Sequence, residues 1–515
     1  MRSGSNSRKP SFDALDPWPV NEHKRSHRDI LKATAILGGG TAGGLIIGVV
    51  RMKLLAALLG AAGIGLLGVF STLLTLGVSV AGMAIETTGV RQLSVAAADD
   101  EKQRAARWAL WSFAAGLMVV ALAAFWFLRK PLAALAIGDP AYVGWIPWIG
   151  VGVAVSILAA VQLAIVQSDR RLGDFTRIKL VSAIVSLIVG VGAVYMLGTP
   201  GVLVAVVAVP ISNSLVALGY RANLPRIDRG PRPRFSALSV QWRLLATLGI
   251  VVTVSAVIGS IGQLYGRAMI VKELGLEQAG LFQAAFAISS LNVALLLAAM
   301  IPDFYPRLSA AVDDDRQFNR ILNEQVHVGL IVAAPALTLL ALIAPLALQL
   351  LYTSEFKDAG LLLRLLIIGD SMRVLGWALG FALLARKLSW SYLVVEATFT
   401  LALVPLIWLL MPVTGLRGVG LAYILAYSVT LPASLFLTAR NAGIRVERRN
   451  AIMLAGLVAI LASIAAMSLF SDVATIVLGI FCVAGLAILS VRELKRVGAD
   501  FMPEKVQRLL VKLRR

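Results

Sequence analysis

Apolar stretches of about twenty residues recur along this chain from roughly Ile30 to Val491, separated by short polar punctuation. A bilayer core about 30 Å thick is crossed by ~20 helical residues, so such a pattern has few outcomes other than a bundle of membrane-spanning helices. A transmembrane barrel would show ~10-residue segments of alternating polarity instead, and Ala451 to Phe470 is one continuous apolar run. Composition agrees: 58% of the 515 residues are hydrophobic and mean hydropathy is +0.83, more apolar surface than a globular core can bury.

The fold expected is an all-α polytopic membrane protein with fourteen spans, near 30–50, 61–85, 106–128, 143–167, 178–197, 201–220, 244–266, 279–301, 324–350, 365–385, 390–411, 416–438, 451–470 and 473–491. The net charge of +20 could suggest nucleic acid, so the placement of the 48 Lys and Arg decides. With the N-terminus in the cytoplasm, and charges in the first residues of a span counted with the adjoining loop, 38 of them fall in cytoplasmic tails and loops, 9 in outer loops, and Arg373 lies deep inside a span. That is the positive-inside distribution, with both termini cytoplasmic, and it calls for no nucleic-acid partner.

The segment Met1 to Arg28 reads as a disordered basic tail, and the first span behind it as retained. After Val491, Leu494, Val497, Phe501, Val506, Leu509 and Leu513 stand among basic residues, the pattern of an interfacial helix drawn to anionic lipids. The lone Cys482 permits no intrachain disulfide, and His23, His27 and His327 lack a spaced ligand set. No metal, cofactor or catalytic constellation is expected.

An internal repeat organises the chain. Leu59-Gly60, four residues, then Gly65-Leu66 recurs as Leu274-Gly275, four residues, then Gly280-Leu281, with Arg51 and Arg267 eight or nine positions earlier. Downstream, Met83, Glu86, Arg91, Ser94 and Asp99 align approximately with Met300, Asp303, Arg307, Ser309 and Asp313, and Gly198, Gly201 and Val202 answer Gly415, Gly418 and Val419. Six spans separate the copies, an even number, so the repeat is parallel and its pseudo-two-fold axis runs along the membrane normal. The expected domains are six-helix bundles over 29–222 and 244–440, a basic linker 223–243 between them, and an extra helix pair over 441–491. Two such bundles rocking about a central cavity give alternating access, which makes transport the leading function.

Charges inside the bilayer cost roughly 2.5–3.5 kcal/mol each on insertion scales, so they mark candidate sites. In the tenth span Asp370 and Arg373 stand three apart on one face, with Trp377 a turn later and Gly369, Gly376 and Gly380 close to the same stripe. They form either a packing ion pair or a cavity wall. Arg51 and Arg267 end their spans on the outer side, where they either snorkel to headgroups or face one cavity as a pair of phosphate-matching forks. Glu86 with Arg91, and Asp303 with Arg307, stand at the cytoplasmic ends of the second and eighth spans as gate pairs or plain interfacial salt bridges. Glu396 lies about two turns into the eleventh span, as a buried hydrogen-bonded acid or a site for a coupling cation. Gly40, Gly44 and Gly48, spaced by four, suit close helix packing.

The strings Gly280-Leu-Phe-Gln283, Phe304-Tyr-Pro-Arg-Leu-Ser309, Leu351-Tyr-Thr-Ser-Glu-Phe356 and Ile368-Gly-Asp-Ser-Met-Arg-Val-Leu-Gly-Trp377 resemble, in order and spacing, the polysaccharide-transporter branch of the multidrug/oligosaccharidyl-lipid/polysaccharide exporter superfamily. Within it the likeness is to O-antigen and enterobacterial-common-antigen flippases, and it covers roughly Ile30 to Arg440. The resemblance implies two six-helix bundles around a cationic cavity and an undecaprenyl-diphosphate-linked glycan as cargo. It further implies a bacterial inner-membrane location, polymerase or glycosyltransferase partners, and Asp370 and Arg373 as a charged tenth-span motif. The extra helix pair is shared with lipid II flippases of the same superfamily, which keeps a lipid II flippase as an alternative. A cation-coupled drug exporter remains an alternative. A membrane glycosyltransferase or ligase would need a larger outer loop than Leu351 to Arg364, whose only acids are Glu355 and Asp358.

Overall fold

Helix is the only regular structure among the described residues, as expected where no water is present to satisfy an open strand edge. The computed structural model describes residues 27–96, 99–169, 171–221 and 233–497. In the first half, α1 (His27–Ala81), α2 (Ile85–Ala96), α3 (Asp100–Phe127) and α4 (Arg129–Ala136) lead through a 3-10 turn (Pro140–Trp145) to α5 (Ile146–Ser168), α6 (Leu172–Leu197) and α7 (Gly201–Arg221). The second half runs α8 (Phe235–Ala310), α9 (Asp315–Leu342), α10 (Ala344–Leu351), a 3-10 turn (Ser354–Ala359), α11 (Gly360–Ala385), α12 (Ser389–Thr414) and α13 (Leu416–Ala442). The chain then adds α14 (Arg448–Met467) and α15 (Asp472–Val497). Among the described residues 12 helices are long and apolar enough to cross a membrane, which makes this a multi-pass membrane protein.

The repeat is visible in the backbone. Helices α1 and α8 each bend at the glycine of the Leu-Gly pair, Gly60 at φ 63°, ψ −170° and Gly275 at φ 88°, ψ 171°. Only glycine occupies that region without strain, so the same residue makes the same bend in each half. Helices α3 and α9 both have 28 residues, α4 and α10 both 8, and α6 and α12 both 26. The caps match too: Asp99 accepts from the N–H groups of Glu101 and Lys102, and Asp314 from those of Arg316 and Gln317. Asp314, one residue beyond the expected Asp313, is thus the partner of Asp99.

The halves meet chiefly through α1 against α8. At the crossing, a Cβ on Gly65 would strike the Leu276 carbonyl oxygen, and one on Gly280 the Ala61 carbonyl oxygen. Lipid gives helices no hydrophobic reason to associate, so such backbone-to-backbone approach through small residues supplies the contact. The extra pair α14 and α15 packs on α9 and α11, fastened by Asn450 Nδ2 donating to the Asn323 carbonyl (2.9 Å), and its two helices are tied to each other by an Arg449–Glu493 pair at 2.6 Å.

Several expected boundaries move. Helix α1 continues past Arg51 to the Gly60 bend, because Leu54, Leu55 and Ala56 carry the apolar pattern on beyond the charge that ended the hydropathy window. The ninth span stops at Leu342, and Pro345 opens a separate α10. Glu86 to Arg91 are helical, in α2, behind a break at which Met83 and Ala84 take φ 45° and 48°. The linker becomes helical from Phe235. Residues 1–26 of the expected tail and the basic segment after Val497 lie outside the described residues.

Candidate functional site

Three aromatic pairs spaced by four residues, Phe282 with Phe286, Trp377 with Phe381, and Tyr423 with Tyr427, each present one face of a helix to the same space. The result is a cavity of about 640 Å³ inside the second half, walled by α8, α11, α12 and α13. Arg267, Arg373, Trp377 and Glu396, four of the residues singled out from the sequence, line it together.

Asp370 stands behind this wall, 1% exposed. Its carboxylate accepts from the Ser289 hydroxyl, from the Tyr423 hydroxyl at 3.0 Å, and lies 3.9 Å from Arg373 Nη1. A buried carboxylate is tolerable only with such partners, and their joint effect is to fix Tyr423 and Arg373 in place. The Arg373 side chain remains 40% exposed and faces the cavity. Gly369 lets this happen, since a Cβ there would strike the Tyr423 ring. Gly376 leaves open space beside Arg373. The Tyr392 hydroxyl hydrogen-bonds Glu396, one turn along α12.

Arg267 is buried and donates from Nη1 to the Gly68 carbonyl of the first half at 2.8 Å, with its guanidinium 5.8 Å from the Phe282 ring and 5.5 Å from that of Phe286. It therefore joins the halves and borders the cavity at once. Aromatic faces beside guanidinium groups stabilise the charge while leaving donor directions free for a ligand. Phe399 completes the wall, 4.5 Å from Tyr427 and 5.8 Å from Tyr423 between ring centres.

The expectation that Arg51 and Arg267 face one cavity is not met. Arg51 sits in the first half, in a pocket of about 420 Å³ among α1, α6 and α7, and its Nη2 donates to the Ala205 carbonyl at 3.2 Å. Each arginine rides the first arm of its own half, and the pseudo-symmetry carries them into different interiors. Gly44 and Gly48 open onto this pocket rather than packing against a helix, while Gly40 does meet Thr176.

At the opposite end of the helices, Glu86 accepts from Gln167 Nε2 at 2.9 Å and forms no ion pair with Arg91 among the described residues. Arg307 lies 3.8 Å from Glu324 on α9, and the Asp303 side chain lies outside those described. The cavity aromatics Tyr392, Phe399, Tyr423 and Tyr427 were not singled out from the sequence. Tyr423 and Tyr427, spaced by four, share a helix face, but that spacing is the same whether the face meets lipid or a cavity.

Known proteins show the same frame. The helices superpose on a multidrug resistance MATE family transporter of the MOP superfamily in an inward-facing conformation, with a TM-score of 0.67 and 15% identity over 78% of this chain and 95% of that one. The lipid II flippase MurJ in an inward closed conformation gives a TM-score of 0.65 and 14% identity over 89% and 99%. In sequence, the lipid III flippase of Escherichia coli (strain K12) is 26% identical over 403 residues, 75% of this chain and 91% of that protein. The family described as polysaccharide biosynthesis protein matches residues 54–360, more than half of the sequence, and the chain belongs to that family.

Proposed function

We propose that this protein moves a lipid-linked glycan across the bacterial inner membrane by exposing a binding cavity to each side in turn. The observation that carries the reading is the aromatic, arginine-bearing cavity held inside one of two repeat-related halves that cross at close glycine-to-backbone contacts. Glycan rings stack on aromatic faces, and a diphosphate linked to undecaprenol matches the forks of Arg267 and Arg373. The similarity to a lipid III flippase supports the same cargo class. No enzymatic step is needed.

Reading the bent α1 and α8 as two crossings each gives fourteen, which returns both termini to one side, and the Lys and Arg excess makes that side cytoplasmic. The halves then correspond to bundles over 29–222 and 244–440, with 441–491 added outside them. Glu86, Arg91, Asp303 and Arg307 stand at the cytoplasmic ends, where pairs can form and break as the bundles rock. Glu396 is the group to bind a coupling cation.

A second reading, export of hydrophobic cations, is favoured by one observation: Glu396 shares its cavity with Tyr392, Phe399 and Tyr427, a carboxylate in an aromatic box. Reconstitution separates the two. Proteoliposomes given a fluorescent lipid-linked oligosaccharide should translocate it, and Arg373→Ala should not, with its folding confirmed by an unchanged melting transition. Full glycan translocation by Arg373→Ala removes Arg373 from the site; ethidium efflux without glycan translocation establishes the second reading.

A further inference from the structure

The pocket in the first half is the repeat counterpart of the aromatic cavity, with its charge altered. Helices α6 and α12 have equal length and end at glycines of matching conformation, Gly198 at φ 64°, ψ −133° and Gly415 at φ 61°, ψ −142°. Aligned on those glycines, Phe175 falls on Tyr392 and Lys179 on Glu396. On the next helices, aligned on Gly201 and Gly418, Asn213 falls on Thr430. All six line their respective cavities. A cation therefore occupies, in the first half, the place of an anion in the second.

Around Lys179 the pocket gathers Arg51, Asn213 and the hydroxyls of Thr176, Ser182 and Ser186, and its described lining residues include no Asp or Glu. Arg51 Nε is buried without a hydrogen-bond partner. Lys179 is exposed to the pocket space, with its ammonium 5.6 Å from the Phe175 ring centre. Gly44 and Gly48 leave the opposite wall clear, since an added Cβ at either would meet nothing within 4 Å. Two cations on membrane-spanning helices, without a carboxylate in their own pocket, call for a counter-charge. A planar fork, a mobile ammonium and an amide form a donor set suited to the several oxygens of a phosphate group.

We propose that the pocket among α1, α6 and α7 is a separate anion site that binds a phosphate-type group on Arg51 and Lys179, distinct from the aromatic cavity of the second half. The two halves thus differ in lining, the first gathering cations without a carboxylate and the second setting its arginines among aromatic rings and Glu396. The site itself stands on the pocket; only the identity of its natural occupant rests on the flippase reading. Both a lipid-linked cargo and a membrane phospholipid carry such a group.

The test is equilibrium binding of farnesyl diphosphate to the full chain in uncharged detergent, with wild type, Lys179→Ala, Lys179→Arg and Arg373→Ala compared. The site requires at least a tenfold weakening in Lys179→Ala and recovery in Lys179→Arg. Wild-type affinity in Lys179→Ala, or a loss confined to Arg373→Ala, overturns it. Competition by phosphatidylglycerol at equal concentration identifies a phospholipid headgroup as the occupant, and its failure to compete identifies the diphosphate of the cargo. A measurement needing no variant runs beside this: inorganic pyrophosphate should protect Lys179 from acylation, and unchanged labelling overturns the site. Binding without translocation would defeat the flippase reading and leave the site standing. Translocation with Lys179 indifferent to both probes would do the reverse.

Discussion

The two halves of this molecule share a frame and differ in what they enclose. Both bend at a glycine, both start their 28-residue helix at an aspartate cap, and both pass through an eight-residue helix and a six-residue 3-10 turn before the next crossing. Their interiors diverge. Aligned on their C-terminal ends, α5 and α11 keep a glycine at Gly152 and Gly369, yet Asp370, Arg373 and Trp377 fall opposite Val153, Ser156 and Ala160. Tyr423 falls opposite Val206. The second arm of α1 breaks before α2, whereas that of α8 runs on to Ala310. Residues that dictate backbone geometry have recurred because the bends and crossings admit few substitutes, and residues that line space have been free to change chemistry.

The sharpest way to break the comparison is at the crossing itself. Gly65→Leu and Gly280→Leu each drive a side chain into a carbonyl oxygen of the other half, which cannot yield as a flexible side chain would. Overpacking costs about 1–3 kcal/mol in an adjustable core, and this contact sits at or above the upper end. Both variants should lose translocation and melt at markedly lower temperature. If either retains both properties, the halves do not meet here in any state that matters.

Next in size are the bends. Gly60→Ala and Gly275→Ala force an L-residue into a glycine-only region, costing roughly 1–3 kcal/mol each. Because the two backbones match, the two melting temperatures should fall by similar amounts; a large effect at one and none at the other would end the claim that the bends are equivalent. Smaller again is Tyr423→Phe, which removes one donor to Asp370 while Ser289 and Arg373 remain, a loss of about 1 kcal/mol. Its counterpart Val206→Ala probes packing alone, so glycan translocation should suffer in Tyr423→Phe and not in Val206→Ala.

How much of this was legible depends on which signal a residue sends. The helices were written in hydropathy and the repeat in its Leu-Gly pairs, which act locally, whereas the joining of two spans into one helix bent at each of those glycines was not. Asp370 and Arg373 were legible because a charge in an apolar run is costly enough to demand a reason. Arg51 was misplaced because the same charge ended the hydropathy window two turns before the helix ends. Lys179 is the second residue of the span expected over 178–197, where a charge reads as part of the adjoining loop. The cavity aromatics were silent because a tyrosine in an apolar helix sends one signal whether it faces lipid or another ring, and only the packing of α12 on α13 against α8 and α11 decides.

The smallest test asks whether the frame is equivalent down to its caps. Asp99 and Asp314 each satisfy two N–H groups at the start of a 28-residue helix. Asp99→Ala and Asp314→Ala should therefore lower the melting temperature by comparable small amounts, and Asn at either position should restore most of it, since an amide oxygen also accepts. The pH dependence separates charge from hydrogen bonding at Asp99. The Lys102 backbone N–H foremost, and its ammonium 3.2 Å away, hold the Asp99 carboxyl below the usual carboxylate range. A depressed value means that the stabilisation is complete above the ordinary pKa of about 3.9 and fades as pH falls through the lower folded value. The gap between wild type and Asp99→Ala should then be wide near pH 7 and narrow as the pH falls below the ordinary carboxylate range and through the lowered value. A gap that stayed constant across that range would mean that the carboxylate charge plays no part, and that the cap holds through geometry alone.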